Sequence, residues 1–154
     1  MLPPLTASPT RWSPLEVQAS GELAATARRR DKAQFALVAI LDEAVLHRQI
    51  GGRGVLCQQL DHLVEVAKRP NVTIRVLPFK AGVHPGLHGS FTILKFPIER
   101  DPGVVHVEDR IGSRYRDHVE EIGEYSAVED RLLEAALSEA HSLSVIRKVR
   151  KELE

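Results

Sequence analysis

Three short strand-like runs lie close together in the sequence, and their spacing is the strongest constraint on the fold. They read "NVTIRVLPF", "GSFTILKF" and "VVHVED", and the connections between them are about 7 to 12 residues long. In the first run Val72, Ile74 and Val76 alternate with more polar positions, which is typical of a strand with one buried face. Parallel neighbours need a crossover of about a dozen residues or more, usually helical, whereas antiparallel neighbours need only a short turn. The spacing therefore predicts an antiparallel meander.

Helical patterns flank these runs on both sides. Ser13 and Glu16 form a capping box around Pro14, which predicts a helix from Ser13 to about Asp31. A second helix is predicted after "IGGRG", and two more fill the C-terminal part, the last of them starting at Ser138. The second helix has an apolar stripe at three- and four-residue spacing that consists of Val55, Leu56, Leu60, Leu63, Val64 and Ala67.

Residues 35–41, "FALVAIL", are apolar throughout, so periodicity alone does not separate a buried strand from a helix turn. The phenylalanine, valine and isoleucine favour a strand, and we predict a central strand here. Strands placed between helices indicate an α+β fold, a small and mostly antiparallel sheet of about four strands packed with about four helices. Residues 1–12 contain three prolines and are predicted to be a mobile lead-in, with 13–154 as a single domain.

The charge balance argues against direct DNA binding. Lys and Arg together number 21, as do Asp and Glu, so the formal net charge is zero. Nucleic-acid binding draws most of its affinity from a basic surface, and the one dense basic run, Arg28–Arg30, is more typical of a helix end. A single cysteine, Cys57, excludes an internal disulfide, and no segment has the length and apolarity of a spanning helix. We predict a cytoplasmic protein with no membrane association.

The segment "FKAGVHPGLHG", residues 79–89, is longer than a tight hairpin requires. It contains His84 and His88, whose side chains are suited to acid–base chemistry near neutral pH. Two histidines four residues apart converge on a metal only in a helix, and Pro85–Gly86 disfavours a helix, so we predict no metal and no cofactor. Either the segment is a hairpin loop whose histidines bond to backbone or line a pocket mouth, or it has a ligand-binding or catalytic role.

Two pairs of carboxylates follow predicted strands. Glu108–Asp109 ends the third run, where a carboxylate is expected near His88 or His106. Asp42–Glu43 ends the first strand, with His47 one helical turn beyond. Solvated charges at a strand end are the simpler interpretation of Glu108–Asp109. A carboxylate of Asp42–Glu43 is a plausible pocket residue, but such a residue is more often a charge at a helix N-terminus. The chain has no nucleophile elbow, phosphate-binding glycine pattern, zinc spacing or kinase signature.

The phrases "AILDEAVLHRQIGG", "QQLDHLVEVAKRPNVTIRVLPFKAGVHPGLHGSFTILKFP" and "VVHVED" resemble a domain of unknown function found C-terminal to an XRE-type helix-turn-helix in many actinobacterial transcriptional regulators. The resemblance extends from about Trp12 to Val149. It implies an effector domain that senses a metabolite or a regulator protein, here expected to act without its own DNA-binding half. Where relatives often have an aromatic residue before Val-Glu, this sequence has His106-Val107-Glu108.

Two functions follow as hypotheses. The first is a regulatory, non-enzymatic module that binds a small metabolite or a regulator protein, with a homodimer as one possible assembly. The second is an enzyme of specialised metabolism, of a cyclase, isomerase or hydrolase type, with His84, His88 and Glu108 as acid–base groups. The predicted ligand-binding residues are Phe79, His84, Pro85, His88, Phe91, His106, Glu108 and Glu43.

Overall fold

The computed structural model describes residues 35–154, and the predicted lead-in, the predicted helix of residues 13–31 and the basic run Arg28–Arg30 lie outside this range. The described elements, in chain order, are β1 (Leu37–Asp42), α1 (Glu43–His47), α2 (Arg53–Val66), β2 (Val72–Leu77), two 3₁₀ turns (Phe79–Ala81 and Pro85–His88), β3 (Phe91–Leu94), β4 (Val104–Asp109), β5 (Gly112–Arg116), α3 (Val119–Ala135) and α4 (Glu139–Glu152). The protein has an α+β fold, as the sequence predicts.

Strands β1 and β2 form a two-stranded parallel sheet. They pair in register from Leu37 opposite Val72 to Asp42 opposite Leu77, with α2 in the connection between them. The sequence argument made β2 the first strand of the antiparallel meander, and that prediction was wrong. The helix α2 between β1 and β2 allows a parallel crossover. Strand β2 therefore pairs with β1, although the connection from β2 to β3 is short enough for an antiparallel pair.

Strands β3, β4 and β5 form a separate antiparallel sheet in that order. The predicted runs in "GSFTILKF" and "VVHVED" are neighbours, as expected, but the third strand is β5, "GSRYR". Sequence analysis missed β5 because its side chains are polar or exposed and show no apolar alternation. Its Arg116 guanidinium donates to the Glu121 carboxylate, which fixes the end of β5 to the start of α3.

The main core lies between the parallel sheet and helices α2 and α4. It is built on β2, whose Val76 is fully buried, and on Ile146 of α4 and Leu60 of α2. A smaller cluster of Leu77, Leu132 and Ala136 attaches α3 to the end of β2. The predicted apolar stripe of α2 is therefore largely confirmed, although Val55 at its start is 42% exposed.

The connection between α3 and α4 covers the outer edge of β2. The Leu137 N–H donates to the Val76 carbonyl at 2.9 Å, and the Val76 N–H donates to Ser142 Oγ at 2.9 Å. The Arg75 guanidinium donates to the carbonyls of Ala136 and Leu137 at the end of α3. These bonds satisfy backbone groups that a strand edge and a helix end otherwise leave unpaired. Of the helices in residues 35–154, none combines the length and apolarity needed to cross a membrane.

Candidate functional site

The segment from Pro78 to Gly89, which we call the 78–89 loop, leaves β2 at the edge where β1 also ends. Because β1 and β2 are parallel and Asp42 is opposite Leu77, the start of α1 lies beside the start of this loop. The loop connects the parallel sheet to the antiparallel sheet and includes both 3₁₀ turns. It is therefore a crossing between two sheets, and the hairpin interpretation was wrong.

Two carboxylates at the start of α1 fasten the loop. Glu43 Oε2 accepts a hydrogen bond from the Phe79 N–H at 2.8 Å. Asp42 Oδ2 lies 3.3 Å from Nε2 of His84, and Oδ1 of the same carboxylate accepts from the Ala44 N–H at 2.8 Å. Asp42 thus caps α1 and holds the middle of the loop at the same time.

His84 is the most enclosed polar side chain of the loop. Its side chain is 10% exposed, and Nδ1 is buried with no hydrogen-bond partner in the described part of the chain. Nδ1 faces the turn at Gly86, where an added Cβ would lie 3.1 Å from it. The contact with Asp42 occupies Nε2, and burial against Gly86 shields Nδ1. Neither nitrogen is left open for proton transfer with a bound molecule.

Between the loop and α1 lies an open pocket of about 450 Å³. Three of its lining side chains are apolar and largely exposed: Phe79 at 61%, Leu87 at 63% and Val45 at 50%. The His47 ring stacks on Phe79 with a centroid distance of 5.7 Å. The complete lining is Asp42, Ala44, Val45, Arg48, Pro78, Phe79, Gly82, His84 and Leu87.

The structure brings together only part of the predicted site. Phe79 and His84 line the pocket, Glu43 holds the loop from outside it, and Pro85 begins the second 3₁₀ turn. His88 lies in that turn but is exposed and outside the pocket lining.

The remaining predicted residues lie in the antiparallel sheet. Phe91 packs against Tyr125 of α3 with a centroid distance of 5.0 Å, and His106 packs on Tyr115 of β5. Glu108 is exposed on β4, and no ion pair joins it to His88 or His106 in the described residues. The predicted meeting of Glu108 with these histidines does not occur, because the loop closes on α1 instead.

Sequence reasoning missed the pocket residues that α1 contributes. Val45 and Arg48 were not singled out, whereas the turn at Asp42–Glu43 was considered a plausible part of a pocket. The signal that would have found them is the parallel pairing of β1 with β2, since it places the residues after β1 next to the 78–89 loop. In residues 35–154 no group of three or more His, Cys, Asp or Glu side chains is placed to hold a metal ion.

The model of one protein family, Domain of unknown function (DUF5753), matches residues 6–148 of the chain. The chain belongs to this family. The DUF5753 match includes β1, α1 and the 78–89 loop, so every pocket residue lies within the family domain. No curated protein and no solved structure matches the chain significantly. The family predicted from the sequence motifs is thus confirmed, and the DUF5753 assignment leaves the biochemical activity to be inferred from the pocket.

Replacing His84 by alanine is expected to loosen the 78–89 loop. Losing the contact with Asp42 should lower the free energy of unfolding by about 1 kcal/mol. The Leu87 and Gly89 amides, which donate to the carbonyls of His84 and Gly86, should exchange with solvent faster. The matched control is His88→Ala, which removes an exposed imidazole and should change stability by less than about 0.5 kcal/mol. Amide exchange measured by NMR compares the loop in the two variants. Equal acceleration of exchange in both variants would contradict the role of His84.

Proposed function

We propose that this DUF5753 domain is a regulatory module that binds a small molecule in the pocket between α1 and the 78–89 loop. The observation that carries the proposal is a pocket whose walls are exposed apolar side chains on a loop held in place by two carboxylates. The regulatory part is supported by the resemblance of "LDEAVL", "RPNVTIRVLPF" and "HPGLHGSF" to effector domains of XRE-type regulators.

The size and chemistry of the pocket support a small molecule. Ligand pockets usually have volumes of about 300–1,000 Å³ and apolar linings with a few polar groups, and this pocket has about 450 Å³. The pocket exposes three large apolar side chains to solvent, those of Phe79, Leu87 and Val45. Apolar side chains gathered around a concave surface mark binding sites. The ligand gains free energy by covering them.

The enzyme hypothesis has weaker support from the same geometry. An acid–base mechanism needs an imidazole nitrogen within reach of the substrate, and both nitrogens of His84 are engaged or shielded. His88 and Glu108, the other two residues of that hypothesis, lie outside the pocket lining. The geometry of the pocket therefore supports ligand binding better than it supports catalysis.

The proposal is tested with N-phenyl-1-naphthylamine, a neutral apolar dye that fluoresces when it leaves water. We expect saturable binding, weakened about tenfold by Leu87→Ala, because burial of one large apolar side chain contributes more than about 1 kcal/mol at the centre of a site. The matched control is Ile98→Ala, since Ile98 is exposed to the same degree, 62%, but lies outside the pocket. Absence of saturable binding, or equal weakening by both variants, would contradict the proposal.

A second measurement separates binding from catalysis. The domain is incubated with an extract of small metabolites, recovered by gel filtration and heated, and the released compounds are identified by mass spectrometry. A regulatory ligand should be released chemically unchanged, and its release should be lost with Leu87→Ala. A compound that disappears from the extract while a new product accumulates would instead favour the enzyme hypothesis.

A further inference from the structure

Arg48 is a charged residue of the pocket to which the sequence analysis gave no role. It follows α1 directly, is exposed, and contributes to the pocket lining beside Val45. Within residues 35–154 its guanidinium has no hydrogen-bond or ion-pair partner. An arginine side chain offers five N–H donors in a planar fork, so this residue brings unused donor capacity to the edge of an apolar surface.

The other charged groups of the pocket are already paired. Asp42 accepts from the Ala44 N–H through Oδ1 and contacts His84 through Oδ2. His84 has its one remaining nitrogen buried against Gly86. Each oxygen of Asp42 thus has one partner already, whereas the donors of Arg48 have none within residues 35–154, and these donors bind anions.

The Phe79 ring defines the apolar half of the site. His47 stacks on one face of this ring, and Phe79 lines the pocket while remaining 61% exposed. One face is thus covered by the protein, which leaves the other for a flat apolar group. Aromatic groups in offset or tilted contact gain about 0.5–1.5 kcal/mol beyond the area that they bury.

From this arrangement we propose that the ligand class is a monoanionic, amphipathic molecule whose carboxylate pairs with Arg48 and whose flat apolar body packs on Phe79. The inference rests on the proposed function, which it makes more specific. The guanidinium fork matches the two oxygens of a planar carboxylate. The Asp42 carboxylate in the same pocket disfavours a second negative charge, so the site selects a single charge over a dianionic phosphate.

Three matched probes test this ligand class: naphthalene-2-carboxylate, its neutral amide naphthalene-2-carboxamide, and the cation 2-naphthylmethylammonium. Each displaces N-phenyl-1-naphthylamine from the protein at low ionic strength. The carboxylate should bind at least about tenfold more tightly than the amide, since it adds the opposite charge and a second acceptor oxygen that the guanidinium fork can engage. The cation should bind most weakly.

Arg48→Met should remove the preference for the carboxylate by weakening the carboxylate much more than the amide, because methionine keeps an apolar stem of similar size but offers neither the charge nor the planar fork. Arg48→Lys should keep only part of the preference, since lysine lacks the planar fork. Arg147→Met is the matched control, an exposed arginine of α4 outside the pocket, and should keep the full preference.

The outcomes separate the two proposals. Equal binding of the three probes, tightest binding of the cation, or a carboxylate preference that persists in Arg48→Met would overturn the ligand class. If Leu87→Ala still weakens the probes in those cases, the pocket remains a binding site and the proposed function stands. If neither the three probes nor the dye binds, both proposals fail together.

Discussion

Gly103→Ala is expected to lower the free energy of unfolding by about 2–6 kcal/mol. Gly103 precedes β4 with φ = +91°, a conformation that costs a residue with a side chain about 1–3 kcal/mol. An added Cβ would also lie 2.4 Å from the Leu94 carbonyl oxygen, which is backbone and cannot turn aside. Relieving that clash means shifting the end of β3, at a further cost of about 1–3 kcal/mol.

The matched control for this change is Gly123→Ala. Gly123 lies within α3, is exposed, and has nothing within 4 Å of an added Cβ. Alanine there should stabilise the protein by about 0.5–1 kcal/mol, because it favours the helix and restricts the unfolded chain. Urea unfolding of both variants measures the difference. Two variants of equal stability would show that the turn before β4 is not held in the conformation described.

The elements with strong local signals were predictable from the sequence. In strand β2 the side chains of Val72, Ile74 and Val76 are buried, as the alternation predicts. The last helix is capped by Ser138, whose side chain accepts from the His141 N–H. Each of these features depends on residues within one turn or one strand. Propensity, periodicity and capping act over that range, so the sequence contains the information directly.

Strand pairing was not predictable by the same means. A short connection permits an antiparallel pair but does not require one, and the chain uses the 78–89 loop to pass from one sheet to another. Strand β2 pairs with β1, and residues 43–71 lie between the two strands in the sequence. That choice depends on packing of both strands against α2 and α4, a long-range property with no local pattern.

The candidate site shows the same division between local and long-range information. The loop was recognisable from its glycines and histidines, and it does border a pocket. Residue type alone suggested acid–base chemistry for His84, whereas its contact with Asp42 and its burial against Gly86 make it a residue that positions the loop. Arg48 had no local signal at all, because its importance comes from the register of β1 with β2.

Ser142→Ala is expected to lower the free energy of unfolding by about 1–3 kcal/mol, because Ser142 joins α4 to strand β2. Ser142 is fully buried in the core face of α4, where Oγ accepts from the Val76 N–H and donates to the Ser138 carbonyl at 2.8 Å. Alanine removes the acceptor and leaves the Val76 N–H buried without a partner, a penalty larger than the net value of one hydrogen bond.

Ser144 provides the matched control two residues along the same helix. Its hydroxyl also donates to a backbone carbonyl, that of Ala140 at 3.0 Å, but the side chain is exposed and no strand depends on it. Ser144→Ala should therefore change stability by less than about 0.5 kcal/mol, with the better helix propensity of alanine offsetting the lost bond. Urea unfolding compares the two, and amide exchange at Val76 should accelerate only in Ser142→Ala. If both variants changed stability by the same amount, the hydrogen bond from β2 to α4 would contribute nothing measurable.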